Sequence, residues 1–188
     1  MKTKTILLTL TTRFAAAESG DAQTAPNDKK VLVAYFSHSG NTRAVAERIA
    51  AATGADLFEI VPQKPYPAEY RAVVDQARRE IGADYRPALK TDLPDAGRYD
   101  VIYIGSPCWW ATVAPPVATF LTSCDLAGKT VVPFMTHEGS RMGHSEADIR
   151  RLCPRSTVPD GLAVRGSAVR NSKDEVGRWV RARLKNEF

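Results

Sequence analysis

"VLVAYFSHSGNTRAVAERIA", residues 31–50, decides the fold. It opens with six apolar residues that are rich in β-branched and aromatic types, passes through six small or polar ones, and ends in a helical pattern. Val45, Ile49 and Ala52 fall on one stripe, and Gly54 is available as the left-handed residue that ends a helix. A strand feeding a helix through a short polar turn is the start of a βαβ unit.

The same alternation continues along the chain. "DLFEIV" (56–61) reads as a second strand, and the proline-punctuated "PQKPYP" leads into "AEYRAVVDQARREIG", where Tyr70, Val73, Val74, Ala77 and Ile81 recur at helical spacing. "YDVIYIG" (99–105) is nearly continuous in apolar residues, as expected for a central strand covered on both faces. A helix is predicted to begin near Pro115 or Pro116, where proline is tolerated in the first turn. "GKTVVPFMT" (128–136) reads as a fourth strand, Ser145 to Leu152 as a short helix and "GLAVRG" (161–166) as a fifth strand. Ser172 and Glu175 have capping-box spacing ahead of a last helix with Val176, Val180 and Leu184 on one stripe and Trp179 beside it. Five strands alternating with five helices predict an α/β fold, an open doubly wound five-stranded parallel sheet of order 2-1-3-4-5 with helices on both faces.

Composition bounds the class. Of 188 residues, 44% are hydrophobic and 25% charged, which are ordinary globular values. The net charge of +5 lies wholly beyond residue 28, because Lys2, Lys4 and Arg13 balance Glu18, Asp21 and Asp28. No dense Lys/Arg run accompanies it, so nucleic acid is not an expected partner. Cys108, Cys124 and Cys153 lack the spacing of a zinc or dithiol site and read as packing residues. Residues 1–28 show a basic start, a short apolar stretch at Ile6 to Leu10, an Ala-rich site and a polar linker. That is the order of a secretory signal, interrupted by Arg13. Export to the periplasm is the expectation, with a cytoplasmic N-terminal extension as the alternative and a domain over 29–188. The apolar stretch is too short to span a bilayer, so no stable membrane insertion is expected.

In an open α/β sheet the ligand sits beyond the carboxyl ends of the strands, where the strand order reverses. That selects three loops. The first holds Ser37, His38, Ser39, Gly40, Asn41 and Thr42 just before a helix N-terminus, either a plain helix cap or a nest of backbone N–H groups for an anion. No G-x-x-x-x-G-K-S/T and no G-x-G-x-x-G occurs in the chain, which turns the reading from triphosphates and dinucleotides toward a terminal monophosphate. The second loop holds Ser106, Pro107, Cys108, Trp109, Trp110, Ala111 and Thr112. Adjacent tryptophans must diverge, so one is expected to pack inward and the other to offer a face for stacking, unless both seal the helix against the sheet. The third holds Thr136, His137, Glu138, Gly139, Ser140 and Gly143, rich in groups suited to a polar ring edge. His137 and His144 have no matching carboxylates or cysteines at ligand spacing and read as solvated loop residues, with no metal. A phosphate nest, an aromatic wall and a polar loop together describe a site for a planar heterocycle on a phosphorylated tail, and FMN meets that description.

At these residues the chain resembles the flavodoxin family, in particular a bacterial flavodoxin-like branch with paired tryptophans after the third strand. The resemblance rests on "VLVAYFSHSGNTRAVAERIA", "YPAEYRAVVDQARREI", "YDVIYIGSPCWWATVAPPVATFL", "DLAGKTVVPFMTHEGS", "DIRRLCP" and "GLAVRG". It implies FMN with its phosphate on Ser37, Ser39, Gly40, Asn41 and Thr42, and its ring between the loops of Pro107 to Thr112 and His137 to Gly143. It further implies an electron carrier that docks transiently with redox proteins. An FMN-dependent NAD(P)H or quinone oxidoreductase with a small quinone-like acceptor is the alternative, and a non-redox module with a degenerate pocket is the second. No residue is assigned as a general acid or base. Two features depart from the family: His38 stands where relatives often carry Arg or Lys, and a pI near 9.2 contrasts with the acidity of typical flavodoxins.

Overall fold

The computed structural model describes residues 29–90 and 92–187. The expectations placed on residues 1–28 lie outside the described residues.

Strands β1 (Val31–Tyr35), β2 (Asp56–Glu59), β3 (Val101–Trp109), β4 (Thr112–Val113), β5 (Thr130–His137) and β6 (Leu162–Arg165) form one sheet. Its order is β2-β1-β3-β5-β6, all parallel, with β4 paired antiparallel to the end of β3. The five parallel strands follow the predicted order. The sixth, β4, is new, because β3 does not end at Gly105: it runs on to Trp109 and doubles back, so most of what the sequence suggested as a loop is a hairpin.

The nearly unbroken apolar strands bury both faces. Leu32, Ala34 and Phe36 with Ile102, Ile104, Val131 and Met135 belong to one core, and Val31, Val33 and Tyr35 with Val101, Tyr103, Val132 and Phe134 to the other. This two-residue alternation of core membership along one strand is the physical basis of the doubly wound architecture. Helices α1 (Asn41–Thr53) and α5 (Lys173–Glu187) cover the second core through Val45, Ile49, Val176 and Val180. Helices α2 (Tyr70–Gly82), α3 (Pro115–Ser123) and α4 (Ser145–Leu152) cover the first through Val73, Val117, Phe120, Leu121 and Ile149.

Local chemistry sets the helix ends. Gly54 closes α1 in the left-handed region at φ 70°, its N–H bonded to Ala50 O. Glu69 caps α2, its carboxylate accepting from Arg71 N at 2.9 Å and Ala72 N at 2.6 Å. Ser172, read as half of a capping box, is tied elsewhere: its hydroxyl donates to Val169 O and accepts from Arg48 Nη1 at 2.7 Å, which joins α1 to the start of α5. A 3-10 turn over Gly166–Asn171, absent from the sequence reading, makes that junction possible.

One contact in the sheet leaves no room for a side chain. A Cβ on Gly105 would fall 2.2 Å from Phe134 Cζ on the neighbouring strand. Phe134 is fully buried and cannot swing away. Gly105→Ala is therefore expected to lower stability by about 1–3 kcal/mol through overpacking, measured by urea unfolding; an unchanged midpoint would contradict the close-packed crossing.

Candidate functional site

The site is built where β1, β3 and β5 end. After β1 the chain turns through Ser37 to Gly40, with Gly40 at φ 89° immediately before α1, a conformation that glycine adopts without steric penalty. Gly40 N donates to Ser37 Oγ at 3.1 Å, and the first helical bond runs from Ala44 N to Gly40 O at 3.0 Å. The N–H groups of Asn41, Thr42 and Arg43 have no acceptor within the helix and sit at its positive end. Thr42 is buried, and its hydroxyl shares a 2.8 Å hydrogen bond with Thr136 Oγ1, fixing the start of α1 to the end of β5.

The second element is the β3–β4 hairpin. Trp109 pairs with Thr112 across a two-residue turn in which Trp110 (φ 49°) and Ala111 (φ 64°) are both left-handed. That geometry matches a type I′ turn, in which Asn and Gly are usual and each ordinary side chain costs about 1 kcal/mol or more. Neighbouring elements hold the strain. Trp110 Nε1 donates to Val74 O on α2 at 3.0 Å, and the Arg78 guanidinium lies 5.2 Å from the centroid of the Trp110 ring. His144 N donates to Ala111 O at 2.8 Å, and Thr112 Oγ1 donates to Asp148 Oδ2 at 2.5 Å on α4.

The two tryptophans diverge. Trp109 packs edge-on against Tyr66 (4.9 Å between centroids) and Phe36 (5.5 Å), and near His38 (6.0 Å). Trp110 stays half-exposed. His38 Nε2 donates to Pro67 O at 2.8 Å, so the residue that departs from the family pattern ties the first loop to the segment entering α2.

A cleft of about 570 Å³ lies between these elements. Of the residues expected there, His38, Ser39, Asn41, Pro107, Cys108, Trp109, Trp110, Ala111, Thr136, His137, Glu138, Gly139 and Ser140 line it. Six others do not line it. Ser37 and Thr42 hold the first loop as described, and Ser106 is buried, accepting from Ala114 N and donating to Pro107 O, both at 2.8 Å. Thr112 binds Asp148, Gly40 supplies the turn, and Gly143 is packed against the Ala111 carbonyl, 2.2 Å from where a Cβ would be. Tyr70, Val73, Val74 and Ala77 also line the cleft and were missed as site residues. Their helical spacing was fully accounted for by packing, and only the exposure of Tyr70 (74%), a stripe member, separates wall from core.

His137 departs from the solvated reading. It is the last residue of β5, half-buried, and its Nδ1 is buried without a hydrogen-bond partner. Burial, then the charges of Arg141 and Arg165, push its pKa below 6.5, while Glu138 opposes them. His144 is exposed at the start of α4. Among the described residues no His/Cys/Asp/Glu group has the makings of a metal site, and no helix is long and apolar enough to cross a membrane. The Cys108 thiol lines the cleft; Cys124 and Cys153 lie away from it, with burial pushing Cys124 up to about 11.

The fold is an open doubly wound α/β sheet whose switch point carries a cleft walled by the start of α1, the tryptophan hairpin and His137. The chain belongs to the flavodoxin family, whose model matches residues 30–183. A Bacteroides uniformis protein provisionally designated a flavoprotein is 34% identical, with a TM-score of 0.73 over 81% of this chain and 98% of that one. A Lactobacillus acidophilus flavoprotein solved in complex with FMN is 27% identical, with a TM-score of 0.63 over 78% of this chain and 99% of that one. Oxidised flavodoxin 2 from Bacillus cereus shares the fold at 23% identity, with a TM-score of 0.53 over 84% of this chain and 99% of that one. No curated protein matches the chain in sequence.

Two outcomes test the geometry. Ala111→Gly relieves a left-handed alanine and is expected to raise stability by about 1 kcal/mol in urea unfolding; a loss would mean that the turn is not strained. For His137, the folded protein binds its proton less readily than the unfolded chain, so stability falls as pH drops below about 6.5 toward the lowered folded value. His137→Asn should flatten that part of the Tm-against-pH curve, and an unchanged slope would count against a buried neutral ring.

Proposed function

We propose that this chain binds FMN in the cleft and acts as an electron-transfer protein. The observation that carries the reading is the juxtaposition of the α1 nest with the Trp109–Trp110 hairpin and His137 around one cleft of about 570 Å³. The FMN complex of the Lactobacillus acidophilus relative supports it. Backbone N–H groups from Ser39 to Thr42, with the Ser39 hydroxyl and the Asn41 amide, would hold the phosphate at the positive helix end. The Trp110 ring, fixed by Val74 and Arg78, would supply a stacking face, with His137 in the opposite loop lining the same cleft. When bound, the flavin supplies one- and two-electron chemistry. The chain binds and orients it, and the hairpin with α2 shields it from water on one side.

An FMN-dependent NAD(P)H or quinone oxidoreductase is the second reading. The exposed Tyr70 and the neighbouring Val74 favour it, since they continue an apolar wall suited to a small planar acceptor. Redox partners of the carrier would meet a basic body rather than the acidic one usual in the family, so an acidic partner surface is the better match.

Titration with FMN, followed by quenching of flavin fluorescence, is expected to show one site per chain. Trp110→Ala should weaken it about tenfold, roughly 1.4 kcal/mol. A chain that takes up no FMN would refute both redox readings. Stopped-flow mixing of the loaded protein with NADH or NADPH then separates them: direct rapid bleaching favours the oxidoreductase, and bleaching only through an added reductase favours the carrier.

A further inference from the structure

Glu138 is the one carboxylate among the described residues lining the cleft. It projects from the loop after β5, yet it reaches the start of α1. A Cβ on Gly166 would lie 2.1 Å from Glu138 Oε1 and 2.9 Å from Asn41 Nδ2, so the carboxylate and the first side chain of α1 share the surface that this bare glycine leaves open. The first turn of α1 contains no acidic residue of its own. Glu138 therefore brings a negative charge to the helix end from another segment, in the same cleft as Ser39 and Asn41. Arg141 on the same loop and Arg165 at the end of β6 act, together with Glu138, on the adjacent His137.

We propose that Glu138 sets the charge specificity of the nest, penalising the phosphate of a phosphorylated flavin relative to an uncharged flavin. The inference rests on the FMN reading of the cleft. A phosphate seated on the α1 N–H groups would share the cleft with this carboxylate, and like charges across so small a site repel. Arg141, Arg165 and the helix end offset part of that repulsion, and mobile ions screen the rest. Glu138 is exposed, so exchanging it removes charge without opening a cavity.

Dissociation constants for FMN and for riboflavin, which lacks the phosphate, are measured with wild type, Glu138→Gln and Glu138→Lys at about 20 mM and about 500 mM salt, ionic strengths that bracket strong screening. Glu138→Gln is expected to tighten FMN about tenfold at low salt and Glu138→Lys further, with riboflavin unmoved and the gain shrinking at high salt. The inference is overturned if wild type binds FMN and the variants leave it unchanged, or if both flavins shift alike, which would make Glu138 a packing residue. Wild type that takes up neither flavin overturns the cofactor reading and this inference with it.

Discussion

The structure depends on one topological constraint. β1 is hydrogen-bonded to β2 on one side and β3 on the other, all parallel, so its neighbours are reached by crossovers on opposite faces of the sheet. Helices α1 and α2 must then diverge above the ends of β1 and β3, and neither can cover those ends. The cleft is the space left by this divergence. Both faces are already sealed by core, so the carboxyl edge is where the chain can present polar groups without burying them unpaired.

Divergence alone leaves an open crevice, and the β3–β4 hairpin converts it into a walled site. Its two left-handed residues are unfavourable in isolation, and the hairpin is held from two sides: by Val74 and Arg78 on α2, and by His144 at the start of α4 with Asp148 within it. On the other side, His38 joins the first loop to Pro67, just before α2, and rests against Trp109. The nest and the aromatic wall are thus both fastened to the entry and body of α2. A displacement of that helix would be felt by both halves of the cleft.

Much of this was legible in the sequence, and the failures have physical causes. Two-sided burial makes β1, β3 and β5 read as apolar runs, so their existence and order were recoverable from pattern. β4 was not, because "SPCWWATV" has no Asn-Gly or Asp-Gly turn to announce a hairpin; Trp110 and Ala111 take the left-handed turn only because tertiary contacts hold them there. His137 was misread for a related reason: a strand that runs two residues further than its apolar stretch carries the ring out of solvent. Tyr70 and Val74 were invisible as site residues because a helix stripe has the same spacing whether it faces core or cleft.

The polar inventory of the site also changes meaning in three dimensions. A sequence count credits the ligand with hydroxyls from Ser37, Thr42, Ser106, Thr112 and Thr136, yet each of these is engaged within the fold, to Gly40, to one another or to Pro107, Ala114 and Asp148. What remains for an anion is chiefly backbone N–H, with Ser39 and Asn41. A nest of that kind gains its strength from the shape of the loop rather than from the identity of its side chains, and Gly40 at φ 89° sets the shape. Any charge selectivity would then come from ionisable groups outside the nest: Glu138 lines the same cleft, and its charge and those of Arg141 and Arg165 all act on the adjacent His137.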